Sequence, residues 1–327
     1  MDVRFVANST VKEHPVEDLR ELLDRDDGLV WVDIPICDDE AVRVLSEVFR
    51  FHPLAVRACA ERNRVPKVHA YSDHVFVVLH GPERGEGGHV HYVELDQFVG
   101  RGYLVTVHGP LNPAVSQDVA LRETRAVLQR IEAGRLRPTS SYELSYAILS
   151  ATSRHMEAFV ETVTRQVWQL EQQVTGVDLS DPEQFLEELF RARHGLLAVR
   201  TMAALSREMY GRMSVLARFV PAQDLPLVED TVDQFDRVSR LADHEKDYLQ
   251  GVIEFYRART ETKMTIAAER LAVIAVVTLP ITALASIYGM NLIVNDQTDF
   301  PHLIVVLIAM AVMSAALLIW ARRHGWW

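Results

Sequence analysis

The sequence predicts an α/β domain, a long helical stalk and two C-terminal transmembrane helices. Three observations carry this. Two charge-free apolar runs, Leu271–Tyr288 and Leu303–Trp320, lie near the end of the 327-residue chain. Strand-like stretches are confined to the residues before about 140. From Ser141 onward the pattern is helical, interrupted only at short breakers.

Each apolar run has 18 residues. At about 1.5 Å per residue it covers roughly 27 Å, enough with its flanks to cross a hydrocarbon core. Arg257, Arg259, Lys263 and Arg270 precede the first run, and Arg322 and Arg323 follow the second. The connector Asn291–His302 has no Lys or Arg but carries Asp296 and Asp299. Basic flanks stay on the cytoplasmic side, so both termini are expected there, with an external loop between the spans of a cell-membrane protein. Trp320, Trp326 and Trp327 suit anchoring at the interface. The start, Met1-Asp2-Val3-Arg4-Phe5, lacks the basic-then-apolar pattern of a signal peptide. A net charge of −11 argues against a nucleic-acid surface and suits a handler of cations. Cys37 and Cys59, the only cysteines, form no paired motif, as a reducing compartment predicts.

In the soluble part, Leu29–Ile34 reads as a strand and Asp39–Phe49 as a helix with an acidic first turn. Val75–Leu79, His89–Leu95 and Gly102–Val107 read as further strands. Gly81–Gly88 reads as the loop of a hairpin, and no Gly-Lys-Ser/Thr follows it to make a phosphate loop. His69, His74, His80, His89, His91 and His108 are expected to face solvent from strands, since no pair has a helical ligand spacing. Helices are expected over Tyr142–Val174 and Pro182–Leu216, the second opening on a solvated acidic turn with Glu183, Glu187 and Glu188. The expected divisions are an α/β domain over 1–140, a helical hairpin over 141–226 and a stalk over 227–291. The stalk enters the membrane at about 268; a loop over 292–302, a second span over 303–321 and a tail over 322–327 follow.

The third helix starts near Leu227 and meets no breaker until Pro280. Run on to Tyr288 it would extend roughly 90 Å. Stepping by four and three from Asp247 reaches Gly251, Glu254, Ala258, Glu261, Thr265, Ala268, Ala272, Ala275, Leu279, Thr282 and Ser286. Each is acidic, small or hydroxylated except Leu279, where a dry coiled-coil seam would carry Leu, Ile or Val. Tight packing of small residues would explain the alanines, but not Glu254 and Glu261 in register with Thr282 and Ser286. The spacing predicts a water-lined seam. Two spans cannot enclose a pathway, so several copies must surround an axis, each giving one helix. Glu254 and Glu261 would then ring the cytoplasmic mouth and Asn291 the external one, with Leu279 a hydrophobic gate beside the bendable Pro280.

Tyr288-Gly289-Met290-Asn291, with Pro280-Ile281-Thr282 upstream and a second span ending in basic and aromatic residues, resembles the CorA family of divalent-cation channels. His52-Pro53-Leu54 with Val65-Pro66-Lys67-Val68, and Leu95-Asp96-Gln97-Phe98 with Tyr103–Val107, are similar to passages of the family's soluble domain. The resemblance implies a funnel-shaped homopentamer in a lipid bilayer that admits Mg²⁺, often Co²⁺ or Ni²⁺ too, without an organic cofactor. It implies a selectivity filter at Gly289, Met290 and Asn291, ion capture at Asp296 or Asp299, and a cytoplasmic regulatory Mg²⁺ site using Asp230 and Asp233. The chain departs from the family where Arg57 and Ala58 stand at the acidic positions after His-Pro-Leu. Arg57 is expected to pair with Asp230 of another copy, with Mg²⁺ feedback weakened or moved, for instance to Asp243, Glu245 and Asp247. A Zn²⁺ transporter of the related ZntB branch keeps the fold and changes the cargo. A non-conducting sensor tethered by the two spans keeps the anchor alone. No nucleophile–base or phosphate-loop constellation suggests an enzyme.

Overall fold

The structure is a computed structural model and describes residues 1–7, 10–110, 112–176, 181–215, 220–289 and 300–323. The chain divides into two units, Met1–Val252 and Ile253–Trp327. In the first, seven strands form one sheet: β1 (Asp2–Ala7), β2 (Thr10–His14), β3 (Leu29–Ile34), β4 (Lys67–Ala70), β5 (His74–Arg84), β6 (Val90–Gly100) and β7 (Tyr103–Val107). Their order is β2-β1-β3-β7-β6-β5-β4. Only β3 and β7 pair in parallel, Val30 opposite Tyr103 through Ile34 opposite Val107. All six residues of β3 are buried, as a strand covered on both faces requires.

One face carries α1 (Leu19–Leu23), α2 (Asp39–Arg43) and α3 (Pro53–Ala60), whose Leu22, Ala41 and Val56 join Val30, Phe76 and Phe98 in one core. The expected helix over Asp39–Phe49 is present but changes winding, from α to π over Val44–Val48. The other face is covered from α4 (Gln117–Ala120) and α5 (Arg122–Glu132) onward by two long helices, α6 (Ser141–Thr175) and α7 (Pro182–Val215). The start of α6 is fixed by a capping box: Ser140 Oγ accepts from Glu143 N–H (3.0 Å), and Glu143 Oε2 accepts from Thr139 N–H (2.5 Å). The hairpin between β5 and β6 is tighter than Gly81–Gly88 suggested. β5 runs on through Pro82 to Arg84, because β4 pairs only with Val75–Val78 and leaves β5 an open edge there. Gly87 and Gly88, at φ 66° and 82°, make the tip.

Three of the six histidines depart from the expected solvent exposure: His74, His80 and His108 are buried. Each has one ring nitrogen engaged: His74 Nδ1 by Asp73 (2.8 Å), His80 Nε2 by the Asn63 carbonyl (3.0 Å), His108 Nε2 by Asp33 (2.9 Å). One such bond suffices to seat an imidazole in a core when the ring stays neutral. Burial lowers the pKa of both His74 and His80.

Asp96, in the middle of β6, is the least compensated polar group in this unit. It is fully buried, and its polar neighbours are only the weakly donating Cys59 thiol and the Glu94 carboxyl. Burial, reinforced by the charge of Glu94, holds its pKa well above the ordinary value. A raised folded-state pKa gives stability that is complete below the unfolded value of about 4 and lost as pH rises through the folded value. The thermal midpoint of Asp96→Asn should therefore gain on that of wild type as pH rises above about 4; a difference between the two that does not change with pH would refute the assignment.

The last helix of the first unit, α8, runs Leu225–Gly289 and continues into the second, which also holds α9 (Phe300–Arg323). In the first unit α8 buries Val228, Thr231, Phe235, Val238, Ala242, Leu249 and Val252, with Glu245 half-buried between them. The steps alternate three and four, the seven-residue register of a packed helix face. Phe235, fully buried, stacks on Tyr210 of α7 at 6.1 Å. Phe235→Ala should cost about 3–5 kcal/mol, read as a depressed unfolding midpoint. Asp233→Ala, on the exposed side of the same turn, should stay within about 0.5 kcal/mol.

Candidate functional site

The register of the buried positions decides which face of α8 is left for function. Counted on from Val252, it passes through Tyr256 and Arg259 and later Val273, Val277, Pro280 and Leu284, all half-buried. The sequence-predicted seam falls two and five places after the first position of each heptad, on the opposite side of the helix. Glu254, Glu261, Thr265, Ala268, Ala272, Ala275, Leu279, Thr282 and Ser286 are all exposed. Followed backward, the same steps reach Asp247, His244, Arg240, Arg237, Asp233 and Asp230, also exposed. One face thus carries the predicted seam together with Asp230, Asp233 and Asp247, while Asp243 and Glu245 are half-buried and lie off it.

Local bonds keep this face helical and leave its carboxylates near water. Arg257 Nε pairs with Glu261 Oε1 at 3.1 Å one turn away, an exposed pair of small energetic weight. Thr265 Oγ1 donates to the Glu261 carbonyl (3.0 Å) and Thr282 Oγ1 to the Thr278 carbonyl (2.8 Å), so both hydroxyls retain acceptor lone pairs. Leu279 is 67% exposed, an apolar side chain of the kind that excludes water when several converge. Pro280 lies inside the helix without ending it. From Thr260 to Ala272 every residue is exposed, Met264, Ile266 and Leu271 among them. Such a stretch lacks the tertiary packing that normally stabilises a helix, and calls for partners from outside the chain.

The second unit has the composition of membrane. Within α8 and α9 the apolar windows are long enough to span, and only 6% of each window is buried in the chain. A core helix of a soluble protein would be mostly covered; these are not. Half-buried positions on α9 recur at Val306, Met310, Met313, Ser314 and Leu317, the one-sided pattern of a helix with a single neighbour. The helix α8 ends at Gly289; Met290, Asn291, Asp296 and Asp299 lie outside the described residues.

The cytoplasmic regulatory candidates are engaged within the chain. Asp230 Oδ2 accepts from the Tyr146 hydroxyl and from Gln234 Nε2, each at 2.6 Å, and these bonds lower its pKa. Arg57 Nε reaches Glu61 Oε1 at 2.8 Å on α3 and is largely exposed. Of the further acidic candidates, Asp243 is held by Arg200 (2.6 Å) and Lys246 (2.8 Å), with the Arg200 bond the larger cause of its lowered pKa. Lys246 also lies 3.3 Å from Asp247. Among the described residues no three His, Cys, Asp or Glu side chains group closely enough to hold a metal ion directly. Sequence reasoning did not find the buried pair Asp33–His108, whose residues are 75 apart and meet only because β3 and β7 run side by side. Burial pushes Asp33 up, but His108 and the Thr106 and Thr124 hydroxyls outweigh it and bring its pKa below the ordinary value.

Comparison with known proteins agrees with this architecture. The putative metal ion transporter YfjQ of Bacillus subtilis is 23% identical over 323 residues, 97% of this chain and 94% of that protein. The cobalt/magnesium transport protein CorA of Thermotoga maritima is 23% identical over 308 residues, 90% of this chain and 83% of that one. The complete structure of the CorA magnesium transporter from Methanocaldococcus jannaschii superposes with a TM-score of 0.80 at 16% identity, covering 100% of this chain and 99% of that chain. At that identity the likeness speaks for the fold: an α/β domain, a long helix and two apolar C-terminal helices. The family description "CorA-like Mg2+ transporter protein" matches residues 26–323, and this membrane protein belongs to that family.

Proposed function

We propose that the chain forms a channel for divalent cations, with Mg²⁺ as cargo and Co²⁺ also carried, that works as a homopentamer in the cell membrane with both termini in the cytoplasm. The observation that carries this is the division of α8 into two faces. One packs within the chain; the opposite face is exposed, mixed in charge from Asp230 to His244, acidic at Asp247, Glu254 and Glu261, and small or hydroxylated, save Leu279, from Thr265 to Ser286. Copies arranged about an axis would cover the bare stretch from Thr260 to Ala272 and enclose a water-lined path.

In this reading Glu254 and Glu261 concentrate cations at the inner mouth, Leu279 closes the path by excluding water, and Thr282 and Ser286 offer oxygens above it. Gly289, Met290 and Asn291 form the outer filter, with Asp296 or Asp299 gathering ions before it. An amide collar suits Mg²⁺, which gives up its water reluctantly, because side-chain carbonyls can accept hydrogen bonds from that water. An inside-negative potential drives a doubly charged ion inward by roughly 4–5 kcal/mol per 100 mV, so no nucleotide is needed. Metal control through Asp230 and Asp233 is weak in this chain. The acidic counterpart is replaced by Arg57 and Ala58, and Asp230 already accepts two hydrogen bonds.

Uptake into liposomes under an imposed potential tests this. Wild type should take up Mg²⁺ and Co²⁺, and Asn291→Ala should cut the flux by an order of magnitude or more, about the effect of losing one well-placed polar contact per subunit. Unchanged flux in that variant would refute the filter. Uptake of Zn²⁺ to the exclusion of Mg²⁺, or only with a proton gradient, would refute the cargo. In the same assay Asp230→Lys should leave the response to cytoplasmic Mg²⁺ unaltered; its loss would restore a metal site there.

A further inference from the structure

Asn63, in the connection from α3 to β4, has every polar atom engaged. Its N–H donates to Glu94 Oε2 (2.9 Å), and its Nδ2 donates to Glu94 Oε1 and to the Ala58 carbonyl (2.8 Å). Its Oδ1 accepts from Lys67 Nζ (2.5 Å), and its carbonyl accepts from His80 Nε2 (3.0 Å). The residue thus fastens the end of α3 to β4, β5 and β6. Two of these bonds end on one buried carboxylate, Glu94, which is 7% exposed. Bonds to a charged acceptor are about twice as strong as neutral ones, so the fastening is firmest while Glu94 is the anion.

A second carboxyl crowds that anion. Asp96 lies two places on along β6, hence on the same face, and is fully buried against Cys59 of α3. Two adjacent carboxyls in a dry core cannot both ionise, so the pair keeps one proton. Burial raises the Glu94 pKa against the pull of the Asn63 bonds; burial and then the Glu94 charge raise that of Asp96. The remaining titratable neighbours come from every element around the pair. Cys59 and Cys37 are thiols whose pKa burial raises, and burial holds the His80 ring toward its neutral form. His108, which lines a cavity with Glu94, is bonded to Asp33. Lys67 and Arg62 favour a single anion, Lys67 through Asn63 and Arg62 from an exposed position.

We propose that Glu94 and Asp96 form a one-proton latch on the segment Glu61–Pro66. With the proton held between them, the Glu94 anion clamps Asn63 and the segment lies closed. When the proton leaves to solvent, two like charges in the core drive Glu94 outward and Asn63 lets go. Water then enters behind Arg62, Arg64 and Val65. The open, hydrated form gives up its proton above the ordinary carboxylate value of about 4, whereas the closed form keeps it. Opening therefore rises with pH, by about tenfold per unit while the closed pair stays protonated. The latch operates whether or not the chain conducts ions.

Trypsin cleavage at Arg64–Val65 in the purified full chain reads the open fraction, with the protease dilute enough for the segment to reclose between encounters. Cleavage at Arg135–Leu136, beside another exposed arginine, is the internal reference that cancels the protease's own pH dependence. Between about pH 6 and 8 the Arg64 to Arg135 ratio should rise about tenfold per unit in wild type. Asp96→Asn should hold the ratio flat. Asn63→Ala, at a half-buried loop position, should be open already at the lower pH with little further rise. That variant decides the matter if Asp96→Asn does not fold. The latch is overturned by a level wild-type ratio, by a slope that persists in Asp96→Asn, or by an Asn63→Ala chain as protected at the lower pH as wild type.

Discussion

The proposed function depends on one constraint: within the first unit α8, part of a 65-residue helix, buries one side and leaves the other exposed. Phe235, Val238 and Ala242 bury one side of α8, and that choice leaves the opposite side to Asp230, Asp247, Glu254, Ala272 and Ser286. A slip of one residue in the packing of Phe235 would rotate the helix by about 100° and turn Asp230 and Asp233 off the exposed side. Within the first unit, burial of one side of α8 thus fixes which residues its other side presents.

The two parts of the helix meet different demands under that register. In the first unit, Val228 to Val252 bury apolar side chains, Phe235 against Tyr210 of α7, and the exposed side can be freely charged. Beyond Ala272 the seam positions are small or hydroxylated, save Leu279, and none is charged, as a charge in hydrocarbon is expensive unless it borders water. Between them, Thr260 to Ala272 has apolar and charged residues exposed on all sides. That composition is poorly suited to a lone helix and well suited to one among several copies.

How much of this was legible in the sequence follows from where the signals reside. Periodicity within one continuous helix is a local property, so the seam, the spans and the limits of α6, α7 and α8 could be read to within a few residues. β3, buried on both faces, announced itself as an apolar run. The edge strands β2 (Thr10-Val11-Lys12-Glu13-His14) and β4 (Lys67-Val68-His69-Ala70) did not, because an edge tolerates polar and mixed residues that mimic loop. The histidines misled for a related reason: alternation tells which face of a strand a residue takes, not whether a helix covers that face. The pairing of Asp243 with Arg200 was non-local, and it takes up a carboxylate that sequence alone left open for metal.

The central claim, that one face of α8 meets water while the other is sealed, can be read directly by single cysteines placed along the membrane part of the helix. Background labelling from the native thiols is small. Burial raises the Cys37 pKa to about 12 and lifts that of the buried Cys59 well above its ordinary value. In bilayers, a charged, water-soluble thiol reagent should modify cysteines at 272, 275, 282 and 286 and spare those at 273, 277, 280 and 284. Uniform protection of both sets, or modification of the second set in preference to the first, would contradict the account.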